Sequence, residues 1–132
     1  MSLAIVMNNT KLLHTCINVT DLERSLKFYD EILGFKLERR QEVPENNAEM
    51  AFIDDGNGGS IELTHWRDKT DYVEGDQLDH IAVGVPNVDD AIKEFRTKGV
   101  KIAKEPFSLA GGSLKLAFIK DPDGVWIELI SK

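Results

Sequence analysis

A chain of 132 residues with 42% hydrophobic side chains is long enough for one domain with a buried core. Its net charge of −7, with acidic and basic residues interspersed and no Lys/Arg cluster, excludes the electrostatic footprint of a nucleic-acid-binding surface. The single cysteine, Cys16, excludes an internal disulfide and suits a reducing compartment. The start, MSLAIVMNNTK, has an apolar run too short for a signal-peptide core, and no segment has membrane-spanning length, so a cytoplasmic protein without a membrane partner is expected.

Residues 1–10 carry no periodic pattern and read as a loop. From Lys11 to Val19 the chain alternates, with Leu13, Thr15, Ile17 and Val19 on one face of a strand and His14, Cys16 and Asn18 on the other. Thr20 and Glu23 have the spacing of a capping box, which predicts a helix from Thr20 with an apolar stripe of Leu22, Leu26, Tyr29 and Leu33. Gly34 is placed to take its left-handed end. Strands follow over Phe35–Gln41, Glu49–Ile53 and Ser60–Trp66, with turns at Pro44–Asn47 and Asp54–Gly59.

A charged connection over residues 67–77 precedes a second set of the same elements. Leu78–Val85 reads as a strand with His80, Ala82 and Gly84 on one face. Asn87 caps a helix striped by Val88, Ala91, Ile92 and Phe95 and ending before Gly99. Val100–Lys104, Ser113–Ile119 and Val125–Ile130 are the last strands, with turns at Gly111-Gly112 and Asp121–Gly124. The expected fold is therefore α+β, one domain of two tandem βαβββ modules, about 11–66 and 78–131, around a cleft.

The modules are copies. AFIDDGNGGSIEL, residues 51–63, returns as AFIKDPDGVWIEL, residues 117–129, with eight of thirteen positions identical at an offset of 66. The same offset carries His14 onto His80 and Glu62 onto Glu128. A helix covers one face of each sheet, so parity leaves these four side chains on the uncovered faces. Two imidazoles and two carboxylates brought to one surface match a first-row divalent metal, and four such ligands leave two octahedral positions open to substrate oxygens or water.

Taken singly, each of these residues has a blander reading. A strand histidine is more often hydrogen-bonded or half exposed than a ligand, and a strand glutamate is usually solvated. The doubled pair at one offset is what raises the metal above that. Cys16 shares the His14 face and reads as a small apolar residue. Trp66 and Trp126 share the parity of the glutamates and line the same surface or pack in the core. The glycine pairs fit hairpin turns, not phosphate loops.

From Leu12 to Ser131 the chain resembles glyoxalase I of the vicinal oxygen chelate superfamily, through LLHTCINVTDLERSLKFYDEILGFKL, SIELTH, DHIAVGV and LAFIKDPDGVWIELI. The resemblance implies that His14, Glu62, His80 and Glu128 hold one divalent ion per site, nickel or cobalt in preference to zinc. It also implies a homodimer, in which the modules facing one another across a site come from one chain or from two. The implied reaction converts the hemithioacetal of methylglyoxal or another 2-oxoaldehyde and a thiol such as glutathione to the S-2-hydroxyacyl thiol through an enediolate. Glu128 is the implied base, and Glu62 can play the mirror role.

Asn18 stands where the family usually has an arginine, and Trp66 where it often has an asparagine, which removes polar contacts to glutathione. Leu116 and Phe118 match its apolar pocket. Three relatives of the same scaffold compete with this reading. A methylmalonyl-CoA-type epimerase tends to carry glutamine where this chain has Glu62. An extradiol dioxygenase uses three ligands, and a drug-binding resistance protein lacks the full quartet.

Overall fold

The computed structural model describes residues 10–73, 75, 77–109 and 112–132; the loop expected over residues 1–9 and Gly111 of the expected turn lie outside them. The first module contains β1 (Thr15–Asn18), α1 (Leu22–Leu33), β2 (Lys36–Val43), β3 (Ala48–Asp54) and β4 (Ser60–Trp66). The second contains β5 (Ile81–Gly84), α2 (Val88–Thr97), β6 (Lys101–Ser108), β7 (Lys115–Lys120) and β8 (Trp126–Ser131). The expected α+β architecture of two βαβββ modules is present.

Helix α1 starts one residue later than its capping box predicts. Asp21 is the N-cap, its side chain accepting from Arg24 N–H at 3.0 Å. Thr20 is drawn away: its hydroxyl donates to Asp123 of the other module at 2.6 Å, and Arg24 donates to both Thr20 and Asp123. A carboxylate brought in by tertiary packing outcompetes a helix amide for the hydroxyl. At the far end Gly34 takes φ 73°, which lets Gly34 N–H and Phe35 N–H reach the Asp30 and Tyr29 carbonyls. Asn87 caps α2 as expected, accepting from Asp90 N–H at 2.9 Å.

Each module forms a four-stranded sheet, ordered β1-β4-β3-β2 and β5-β8-β7-β6, with β1 parallel to β4 and β5 parallel to β8. Both first strands are shorter than the alternation predicts. Thr15 pairs with Ile61 and Ile81 with Ile127, so the partner strands run out just where His14 and His80 stand. Strand β6 is longer than expected and runs through Pro106, tolerated because β6 is an edge strand with register shifts on both sides of Lys104.

One apolar cluster joins the modules: Ile17, Val19, Leu22, Ile53 and Leu63 belong to the same buried set as Val88, Ile92, Phe95, Ile119 and Leu129. Tyr29 of α1, fully buried, crosses it to donate its hydroxyl to Asp121 Oδ2 at 2.8 Å. Asp121 Oδ1 accepts from Asp123 and Val125 N–H, and its repeat equivalent Asp55 accepts from Asn57 and Gly59 N–H. The identical aspartates are thus the braces of identical turns, each with a glycine at positive φ, Gly58 at 96° and Gly124 at 90°. Burial pushes both the Tyr29 hydroxyl and the Asp121 carboxyl above their ordinary values.

Tyr29→Phe removes a donor from a buried acceptor and is expected to lower the unfolding free energy by about 1.5–3 kcal/mol in urea titration. Because the folded-state value of Asp121 lies above the unfolded 3.8, its contribution to stability is present at low pH and is lost as pH rises through the folded value. The wild type should therefore lose stability relative to Asp121→Asn over that rise, read from urea midpoints at a series of pH values.

Candidate metal centre

Alternation along β4 and β8 decides where the glutamates go. Ile61, Leu63, Ile127 and Leu129 are buried on the helix side, which turns Glu62 and Glu128 to the other face. In the first module His14 Nε2 stands 4.0 Å from Glu62 Oε1, and in the second His80 Nε2 stands 3.5 Å from Glu128 Oε1. The histidine side chains are 34% and 32% exposed, so each pair is open to an ion from solvent.

A phenylalanine completes each pair. Phe52 lies opposite Glu62 and Phe118 opposite Glu128 in the antiparallel ladders. Their rings meet the imidazoles edge to face, 5.2 Å for His14 and 5.6 Å for His80, at 82° and 81°. Phe52 was not among the residues singled out from the sequence, although its equivalence to Phe118 under the offset of 66 was legible. The eight identities of the repeat now divide by role. Ala51/Ala117, Ile53/Ile119, Ile61/Ile127 and Leu63/Leu129 fill the core, the Asp and Gly pairs make turns, and the Phe and Glu pairs build the two half-sites.

The two pairs do not meet within one chain. Among the described residues no group of three or more His, Cys, Asp or Glu side chains is placed to hold an ion. Of the two arrangements left open by the resemblance, modules from one chain or from two, the described residues of a single chain keep the four side chains as two pairs. Duplication sets equivalent residues at equivalent points of two sheets, one pair on each.

Each pair nevertheless fits half of a coordination sphere. Two ligand atoms about 2.1 Å from one ion and separated by a right or tetrahedral angle lie about 3.0–3.4 Å from one another. The second pair, at 3.5 Å, is close to that spacing, and the first, at 4.0 Å, stands wider. Nitrogen and carboxylate oxygen donors suit a first-row divalent metal.

Around the pairs the halves differ. Thr64, on the Glu62 face of β4 and buried, donates its hydroxyl to Glu62 Oε2 at 3.1 Å and lies 3.3 Å from Cys16 Sγ. Burial and the neighbouring Glu62 carboxylate push the Cys16 thiol up to about 11. Asn18 and Trp66 bond to each other, the indole N–H donating to Asn18 Oδ1 at 3.0 Å. In the second module Phe118 packs against Phe107 and Trp126, next to buried Leu116, so this half-site has the more apolar wall.

Asp79 Oδ1 is 2.8 Å from His80 Nδ1. Thr64 and Asp79 are contacts the sequence reading passed over; parity points to the first and adjacency to the second. A cavity of about 230 Å³ between the modules is lined by Cys16, Asn18, Tyr72, Leu78, Asp79 and Trp126, and by none of the four candidate ligands.

This fold is matched among known proteins. The sequence model of the Glyoxalase/Bleomycin resistance protein/Dioxygenase superfamily matches residues 11–129, and the chain belongs to that superfamily. Among its relatives, a probable lactoylglutathione lyase of Vibrio parahaemolyticus is 39% identical over 94% of this chain and 92% of its own. The lactoylglutathione lyase of Salmonella typhimurium is 41% identical over 91% of both chains. The solved structure of the trypanothione-dependent glyoxalase I of Leishmania major superposes with a TM-score of 0.82 at 36% identity, covering 93% of this chain and 87% of that one.

Proposed function

We propose that the chain is a glyoxalase I, a metal-dependent lyase that isomerises the hemithioacetal of a 2-oxoaldehyde and a small thiol to the S-2-hydroxyacyl thiol. The observation that carries the reading is the doubled His–Glu pair, each backed by a phenylalanine, on the exposed faces of two equivalent sheets. The lactoylglutathione lyases among its relatives support the same reaction. A thioester epimerase and a non-catalytic drug-binding protein share the scaffold, but neither reading uses both carboxylates.

Each pair supplies two ligands, so a complete site needs a second copy. His14 and Glu62 of one protomer would face His80 and Glu128 of its partner, twice per dimer, around one divalent ion each. The apolar surface suits this: Leu13 is 72% exposed beside His14, and Leu78 is 46% exposed beside His80. The opposite edge, β2, carries Lys36, Glu38, Arg39, Arg40 and Glu42, charges that discourage pairing there.

A bound divalent ion, nickel or cobalt in preference to zinc, would supply Lewis-acid stabilisation of negative charge on the two neighbouring substrate oxygens. Glu128 removes the proton from the carbon that bears sulfur and returns it to the adjacent carbonyl carbon. The hydroxyl proton passes to the other oxygen, so atoms and electrons balance without a redox cofactor. Phe118, Phe107 and Trp126 exclude water from that side of the substrate. Asn18 and Trp66, already bonded to each other, face the thiol arm, and glutathione is the first thiol to test because the relatives' name specifies it. Among the described residues no helix is long and apolar enough to cross a membrane, which fits the cytoplasmic setting we assign.

Assay of methylglyoxal–glutathione hemithioacetal with added nickel or cobalt tests the reading, and stripping the metal should abolish turnover. Failure to take up any divalent metal stoichiometrically overturns it. Glu128→Gln is expected to lower kcat by about 10²–10⁴-fold with an unchanged circular dichroism spectrum. A shared site makes a sharper forecast. Mixing inactive His14→Ala and Glu128→Gln chains gives hybrid dimers with one intact site, and should recover about a quarter of wild-type activity at statistical exchange. Sites confined to single chains would recover none.

A further inference from the structure

The offset of 66 that relates the halves breaks at the positions touching the two carboxylates. Thr64 corresponds to Ile130 and Cys16 to Ala82. In the first module the Thr64 hydroxyl donates to Glu62 Oε2 at 3.1 Å, which leaves Oε1 turned toward His14. Threonine has one hydroxyl proton, and it is committed to the carboxylate. Cys16 Sγ lies 3.3 Å from the same hydroxyl oxygen and 4.0 Å from the Ile17 carbonyl, so it is a second polar neighbour, while the hydrogen bond that holds Glu62 is the one from Thr64. In the second module Ile130 and Ala82 offer no donor, and among the described residues Glu128 accepts no hydrogen bond, with His80 its ion-pair neighbour at 3.5 Å.

The imidazoles are treated the other way round. His80 Nδ1 is paired with Asp79, which leaves Nε2 free for the ion, whereas the residue equivalent to Asp79 is Leu13. One half-site thus has an anchored carboxylate, and the other an anchored imidazole beside a loose carboxylate.

We propose that Thr64 is a positioning residue that divides the labour between two chemically identical glutamates. By fixing Glu62 in one rotamer it makes that carboxylate a permanent ligand, and the absence of a counterpart at Ile130 leaves Glu128 free to swing between ion and substrate carbon. The direction of proton transfer then follows from one hydroxyl that the duplication does not repeat. This inference rests on the metal-centre reading above, and its test separates the two.

Nickel affinity of the purified dimer, measured by competition with a chelating indicator starting from metal-free protein, should fall about tenfold in Thr64→Val, the loss expected on removing an outer-shell partner. Thr64→Ser, which restores the hydroxyl, should return it to within about threefold of wild type. The mirror substitution Ile130→Thr places a donor beside Glu128 and should do the reverse: a nickel affinity no weaker than wild type and a kcat about tenfold lower, with Ile130→Val as the packing control.

Wild-type nickel affinity in a folded Thr64→Val, failure of Thr64→Ser to restore it, or undiminished kcat in Ile130→Thr each overturns the proposal while leaving the metal centre standing. A wild-type protein that takes up no nickel, cobalt or zinc overturns both.

Discussion

The alternation of β4 and β8 is the constraint from which the site follows. Ile61, Leu63, Ile127 and Leu129 must be buried, at 0–7% exposure, for the sheets to pack on their helices. With a period of two, that burial leaves Glu62 and Glu128 only the opposite face. A slip of one residue would drive a carboxylate into the core and expose two aliphatic side chains, so the register that holds the fold also aims the site. The antiparallel partners then bring Phe52 and Phe118 alongside, and the ends of the parallel ladders release His14 and His80 to turn back over those rings.

The repeat shows which parts of the architecture bear no change. Core residues and turn aspartates recur because each module needs the same packing and the same brace. Where one of those braces meets the other half, the copies part. Asp121 takes the Tyr29 hydroxyl and Asp123 takes Thr20 and Arg24, whereas Asp55 serves only its own turn among the described contacts. Asymmetry of this kind joins two similar modules in one relative arrangement. The same pattern appears around the half-sites, where Thr64, Cys16 and Asp79 distinguish surroundings that the four candidate ligands leave equal.

A half-site with two ligands binds a divalent ion weakly, and two such half-sites on one chain that do not meet gain little from each other. In the dimer proposed above, association of copies would solve both problems, completing the ligand set and covering Leu13 and Leu78. Metal, dimer and fold would then be linked by mass action, since whatever binds the assembled state stabilises it. The fold belongs to the superfamily as a whole; the chemistry depends on the particular side chains set on it.

Much of this was readable from residue order alone, because period and repetition are properties of order. The two βαβββ modules, the helix end at Gly34, the cap at Asn87 and the shared face of each His–Glu pair all follow from spacing, whereas the place of Leu116 and Phe118 in an apolar pocket came from the family resemblance. What spacing does not encode is distance between elements far apart in the chain. Thr20 lost the helix cap to Asp21 because Asp123 arrived from 103 residues away, and the first strands stopped short because their partners begin at Ser60 and Trp126. The four ligand types were evident in the linear chain, yet only the three-dimensional arrangement divided them into two separate pairs. An offset of 66 makes residues equivalent in two copies of one module, and equivalence sets no distance between a point and its copy.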